Sequence, residues 1–263
     1  MTTAYSGIGD PRRSLELLWH RKDPGGRGPK PSLDLERIVS AAVELADREG
    51  LGALSMRRVA AEIGAGTMSL YRHVPGKGEL LDLMLDHVIG PPESHAELRG
   101  KDWRSVLTLT ARSTWRLYLA HPWLLQVNQA RPILGPNALG AFDLTLASME
   151  DLGLTGREKV AMILAVDHYV TGAARTYILQ QEVCQQSDIS DEDFWAAQEP
   201  VLTEAMGSGA YPQIAKLPED AFSIGGEEAL EFGLGPLLDG LEAMIDRRSQ
   251  KSRKSRTPRG SRA

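Results

Sequence analysis

A single cysteine, Cys184, stands in the chain, so an intrachain disulfide is excluded, and a lone thiol with no base beside it is ordinarily inert. Long apolar runs are missing too. The longest, Ala161 to Val166, falls far short of the roughly 18 residues that a membrane span requires. The N-terminus carries no apolar signal core, which points to the cytoplasm. No segment alternates with period two between hairpin turns, and no repeat recurs at a solenoid period. What is left is an all-α chain of 263 residues with 42% apolar and 25% charged residues, enough for two modest domains with real cores.

Net charge is small, but charge is strongly segregated along the chain. The net charge is −5, yet residues 1–32 carry six Lys/Arg against three Asp/Glu, and residues 247–263 carry eight Lys/Arg and no acid. The body between them is therefore acidic. Basic ends on an acidic body are expected when only part of a protein faces phosphate.

The most informative stretch is LSMRRVAAEIGAGTMSLYRHVPGKGELLDLMLDHV, from Leu54 to Val88. Ser55 is a good N-cap for a helix whose apolar positions Met56, Val59, Ala60 and Ile63 recur at helical spacing. Gly64-Ala65-Gly66 breaks that helix and frees the backbone for a tight turn. Thr67 to His73 then forms a short second helix with Leu70 and Val74 inward, leaving Met68, Ser69, Arg72 and His73 on other faces and Tyr71 beside the inward edge. Pro75-Gly76 stops it, and Lys77 opens a third helix striped by Leu80, Leu81, Met84, Leu85 and Val88. These are the parts of a helix-turn-helix. A preceding helix over about Leu33 to Glu49, capped by Ser32 or Asp34, completes a four-helix unit at 33–90. Arg58 is expected to face solvent or pair with Glu62 one turn on.

Around this unit, residues 1–32 read as an extension with a short helix at Pro11 to Arg21. It is either a solvated tail or a basic arm in which Arg21, Lys22, Arg27 and Lys30 reach phosphates or a minor groove. Helices are expected over about 103–121, from Pro122 to before Pro132, over 136–151, 157–183, 190–206 and 227–247, within a second unit at 91–248. Pro236 should kink the last helix or mark its true start. Residues 249–263 read as a basic disordered tail. Leu230, Leu234, Leu237, Leu241 and Met244 stripe the last helix, and Val160, Ile163, Leu164, Val170 and Ala174 stripe the long one before it. Such stripes are ordinary core, or else the faces of a four-helix bundle across a twofold axis, which would make a homodimer of the chain through 157–183 and 227–247.

The pattern from Leu33 to Val88, above all Tyr71-Arg72-His73-Val74 followed by Lys77, resembles the DNA-binding domain of the tetracycline-repressor family. His121, the order of helices, Phe232-Gly233-Leu234 and Gly240-Leu241-Glu242 resemble the family's regulatory domain. The resemblance covers about residues 33–248. It implies a recognition helix in the major groove of an operator, with base and phosphate contacts from Arg57, Thr67, Met68, Ser69, Tyr71, Arg72, His73 and Lys77. Those residue types suit the role: Arg72 fits guanine, Thr67 or Met68 a thymine methyl, and Tyr71, Ser69 and Lys77 phosphate.

Family members that bind tetracycline hold a drug–magnesium chelate with a His and with a Glu from the partner subunit. By count from His121 those positions are Asn128 and, nearby, Thr176, neither of which suits the purpose, so magnesium–tetracycline is not the expected effector and no metal site is expected. The expected pocket residues are polar ones on apolar helical faces: His121, Asn128, Asp167, His168, Thr171 and Arg175. The resemblance therefore implies a transcriptional repressor that binds a pseudo-palindromic operator as a homodimer and is released by a small molecule, with no resident cofactor. A ligand-independent regulator or an activator remains open on the residues alone. An enzyme using Asp167 and His168 is a remote rival, since helix neighbours point about 100° apart and no nucleophile, metal or phosphate motif joins them.

Overall fold

The computed structural model describes residues 4–20, 33–186 and 189–256. Ten α-helices occupy most of them: α1 (Pro11–Trp19), α2 (Leu35–Glu49), α3 (Met56–Glu62), α4 (Thr67–Tyr71), α5 (Lys77–Ile89), α6 (Trp103–Ala120), α7 (Pro136–Ala147), α8 (Gly156–Gln186), α9 (Asp191–Gly207) and α10 (Gly226–Arg256). The all-α reading holds apart from two-residue strands, β1 (Ala4–Tyr5) and β2 (Val127–Asn128), which pair in parallel.

Helices α2 to α5 form a compact head around Ile38, Val39, Ala42, Leu45, Val59, Leu70, Val74, Leu80 and Met84, all buried. Asp34, not Ser32, caps α2 by accepting the Arg37 N–H. Arg58 pairs with Glu49 rather than Glu62, which instead meets Arg48; side chains from α2 and α3 thus share one surface network.

The second core joins α6, α8 and α10 through Leu107, Ala111, Trp115, Met162, Val166, Val170, Ala174, Leu230, Leu234 and Leu238. Close approach of α8 to α10 depends on two glycines. The Tyr169 hydroxyl occupies the space a side chain at Gly233 would fill, and the Tyr177 ring does the same at Gly226. Tyr169 donates its hydroxyl to the carbonyls of Ala229 and Leu230, 2.9 Å from each. On the outer edge Arg112 grips Glu231 with two nitrogens at 2.7 and 2.9 Å.

Several local expectations are corrected. Pro236 does not mark the start of α10, which begins at Gly226 and runs through it: the residue lies on an exposed face, where water can satisfy the carbonyl its ring leaves unpaired. The helix also continues to Arg256, so residues 249–256 are not a disordered tail; nothing between Glu227 and Arg256 breaks the helical register. Pro122 opens a single short 3-10 helix, Pro122–Gln126, before the chain extends into β2. The N-terminal segment is no solvated tail over residues 4–20, since α1 lies against α5 and buries Ser14 and Leu18. The basic residues Arg21, Lys22, Arg27 and Lys30, and the chain beyond Arg256, lie outside the described residues.

Candidate functional site

The reading surface is built on a short helix with a fixed floor. Ser55 caps α3 by accepting the Arg58 N–H at 3.3 Å. Gly64, at φ +67°, then turns the chain in a conformation that few side chains adopt, and the Ala65 N–H closes back onto the Ala60 carbonyl at 2.9 Å. Leu70 and Val74 are fully buried beneath α4, so its outward residues cannot rotate away without breaking the core.

Outward from that floor stand Met68, 77% exposed, and Tyr71, 44% exposed, with Arg72 exposed beside them. Such exposure of large apolar side chains is costly unless a partner covers them, and it marks a recognition edge. Arg72 donates to the Ser69 hydroxyl at 2.9 Å, which holds the guanidinium along the helix. Thr67, Ser69 and His73 are half-buried, while Arg57 and Lys77 are exposed at the flanks. The elements thus gather all eight expected contact residues around α4 and its two neighbouring helices. Apolar tips for a methyl, one planar guanidinium for a base edge, and hydroxyls and a lysine for phosphate are the requirements of major-groove reading.

The six expected pocket residues divide. His121 Nδ1 meets the Asp47 carboxylate at 2.7 Å, and Trp123 Nε1 donates to the same oxygen at 2.7 Å. His121 is thus a joint between α6 and α2. The Asn128 side chain accepts the Ala130 N–H at 2.9 Å and shapes its own turn. Thr171 meets the Tyr118 hydroxyl at 3.0 Å, and Arg175 reaches the Leu125 carbonyl at 3.5 Å. Asp167 lies one turn before Thr171. Its surface is largely open to solvent, yet the atoms packed around its carboxyl partly desolvate it and raise it above the ordinary range, offset in part by His168. Burial likewise raises the Tyr118 phenol, and the nearby Asp167 charge adds to that.

Tyr118 of α6 and Thr171 of α8 therefore meet across the two helices, with Asp167 and Arg175 exposed one turn to either side of Thr171 on α8. Tyr118 and Asp47 were not singled out in the sequence. Tyr118 sits at the end of an apolar helical face, where only its hydroxyl hints at a role, and Asp47 is one acid among several on a solvated helix. Among the described residues no three His, Cys, Asp or Glu side chains are grouped to hold a metal ion. A hollow of about 380 Å³ lies elsewhere, lined by Leu154, Glu158, Met244, Arg247 and Arg248 and open to solvent. Along α8, Glu158 is about 13 Å from Asp167 by helical rise, so the hollow is separate from the Tyr118–Thr171 contact.

Comparison with known proteins agrees with this geometry. Residues 38–84 match the family described as bacterial regulatory proteins, tetR family, and residues 97–245 match the tetracyclin repressor-like C-terminal domain. An HTH-type transcriptional repressor, DrrR1 of Streptomyces coeruleorubidus, is 52% identical over 251 residues, which cover 95% of this chain and 93% of that one. Apo ActR from Streptomyces coelicolor superposes with a TM-score of 0.64 at 28% identity, covering 84% of this chain and all of that one. ActR in complex with actinorhodin gives a TM-score of 0.58 at 28% identity over 80% of this chain and 96% of that one. No helix among the described residues is long and apolar enough to cross a membrane. With its reading head matched by one family domain and its helical body by the other, the chain belongs to the tetR family of bacterial regulatory proteins and is a DNA-binding transcriptional regulator rather than an enzyme.

Proposed function

We propose that this chain is a cytoplasmic repressor that binds a pseudo-palindromic operator as a homodimer and leaves it when a small molecule opens and enters a cleft between α6 and α8 at the Tyr118–Thr171 contact. The observation that carries the reading is the exposed edge of Met68, Tyr71 and Arg72, held rigidly over buried Leu70 and Val74. Arg57, Thr67, Ser69, His73 and Lys77 surround that edge and supply backbone-positioning contacts.

The dimer rests on the outer faces of α8 and α10. Leu230, Leu234, Val170 and Ala174 of the sequence stripes are spent on the subunit's own core. Leu164 remains 43% exposed and Phe232 82% exposed, and Leu237, Leu241 and Met244 are only partly covered. Two half-sites about one helical turn apart, or a multiple of that, follow from such a twofold arrangement.

The effector is a small organic molecule. ActR, which shares 28% identity with this chain, is known with actinorhodin bound and with (S)-DNPA bound. In this chain the Tyr118–Thr171 hydroxyl pair, the Asp167 carboxyl and the Arg175 guanidinium offer both donors and acceptors to such a molecule. His168 lies beside them in sequence, and His121 and Asn128 act from the adjoining joint and turn.

The test is selection of duplexes from a random pool, followed by titration at two ionic strengths with and without actinorhodin. Enrichment of an inverted repeat, with affinity that falls steeply as salt rises, is the expected result. Enrichment of no sequence would overturn the operator. Thermal shifts with a panel of aromatic compounds test the cleft: a shift abolished by Thr171→Val supports it, and shifts insensitive to Thr171→Val and Asp167→Asn exclude it.

A further inference from the structure

Helix α5 carries three buried carboxylates, Glu79, Asp82 and Asp86, at spacings of three and four, so one face of an otherwise apolar helix is acidic. None of the three meets a cation among the described contacts; each instead collects N–H or O–H groups from chain segments outside the head.

Asp82 is nearly completely buried, and one oxygen accepts the Ser6 hydroxyl and the Gly7 N–H, both at 2.9 Å, while the other accepts the Ser14 hydroxyl at 2.7 Å. Glu79 accepts the Asp10 N–H at 2.8 Å. The backbone of Gly9 lies directly on Gly78, where an added Cβ would stand 2.8 Å from the Gly9 nitrogen.

The same N-terminal segment also holds the helical body. Tyr5 pairs with Asn128, the Ser6 N–H donates to the Asn128 carbonyl at 3.1 Å, and the Ser6 hydroxyl accepts the Ile133 N–H at 3.4 Å. Trp19 Nε1 donates to the Leu134 carbonyl at 3.1 Å, and Leu18 is buried in the head's own core. One short segment thus grips α5 on one side and residues 127–134 on the other.

We propose that residues 4–20 form a clasp that fixes the orientation of the DNA-reading head on the helical body, with Asp82 as its positioning residue. This rests on the reading of the chain as a dimeric operator-binding protein and goes beyond it. In such a dimer each head must be held at the spacing of its half-site. A loosened head still reads one half-site but meets two at once less often, because the second contact loses effective concentration. The clasp passes over Gly78, next to Lys77 at the start of α5, where a small rotation of the helix moves the head relative to phosphate. Movement of residues 127–134 is transmitted to α5 by the same bonds.

The test uses the full chain and a duplex selected by it, beside a version with one half-site scrambled. Gly78→Ala places a better helix former in α5 yet collides with the clasp, and Ser14→Ala removes one bond to Asp82 while favouring α1. Both variants are expected to speed amide exchange at Gly7 and Asp10. They should lose fivefold or more in affinity for the two-half-site duplex, the lower end of ordinary coupling, and bind the single half-site as wild type does. Equal losses on both duplexes would mean damage to the head itself and would overturn the clasp. So would faster exchange with unchanged affinity, or exchange that does not change. Failure of the wild-type chain to select any duplex is a separate result, and it removes the operator reading on which the clasp depends.

Discussion

Asp86 offers the sharpest stability test of how the head is joined to the body. Its carboxylate, 3% exposed, accepts the N–H of Asn137 at 3.3 Å and of Ala138 at 2.9 Å, capping α7 from a different part of the chain. The Asn137 side chain returns a bond to the Asp86 carbonyl at 3.0 Å. Asp86→Ala removes a cap worth about 1 kcal/mol and leaves two half-buried N–H groups, partly reached by water, poorly satisfied at about 1–3 kcal/mol together, so a net loss of roughly 2–4 kcal/mol is expected. For a chain of this size that is about 5–15 °C in melting temperature, read by calorimetry or circular dichroism. Gly135→Ala should cost nearly as much, because its Cβ would stand 2.3 Å from the Asp86 carboxyl carbon and expel it. The two changes remove one interaction, so the double variant should melt close to Asp86→Ala alone. Losses that add fully, or an Asp86→Ala variant within about 0.5 kcal/mol of wild type, would refute the capping role.

Other perturbations follow from the same structure. Asp167 has its carboxyl raised by partial desolvation, so its charged form is penalised in the folded chain. That penalty is absent below the ordinary 3.8 and grows as pH rises through the folded value. Asp167→Asn should therefore raise the melting temperature at pH 7 and not at pH 3; a loss at pH 7 would contradict it. Glu231 is held below its ordinary 4.5 chiefly by its hydrogen bond from Arg112, so this bond stabilises above that value and is lost as pH falls through the lowered one. Arg112→Ala should flatten the acid limb of the stability–pH curve, and an unchanged limb would count against the link between α6 and α10. Trp123→Phe deletes the Nε1 bond to Asp47 and the pyrrole half of a buried indole; about 2–3 kcal/mol of stability should go, the hydrogen bond and the small cavity together, with His121 left on that carboxylate.

The head was legible in sequence because its signals are local. A Ser cap, a glycine turn, Leu70 and Val74 at helical spacing and a proline stop each act within a few residues, and they place Met68, Tyr71 and Arg72 outward without reference to the rest of the chain. Much of what joins head to body was not legible. Glu79, Asp82 and Asp86 look like the solvated side of an amphipathic helix until the segments that hydrogen-bond to them are known, and those come from 75 or so residues before and about 50 after. The acidic spacing of three and four on an apolar helix was the available signal. For the same reason residues 4–20 looked like a tail: Ser6 and Ser14 become buried only because Asp82 needs donors. His121 on an apolar helical face called for a polar partner, and no local pattern shows that its Nδ1 meets Asp47 from 74 residues earlier.

The reading of operator DNA by α4 is tested most directly by fluorescence anisotropy on a duplex selected by the wild-type chain, comparing wild type with the combined Tyr71→Ala and Arg72→Ala variant. Loss of a guanidinium at a base edge is worth about 1–3 kcal/mol of discrimination, and loss of a phosphate contact should reduce the salt slope by about 0.9. The expected result is abolished sequence-specific binding by a variant that keeps the wild-type melting temperature and sedimentation behaviour. Equal affinity of the two proteins for that duplex, with the same salt dependence, would contradict it.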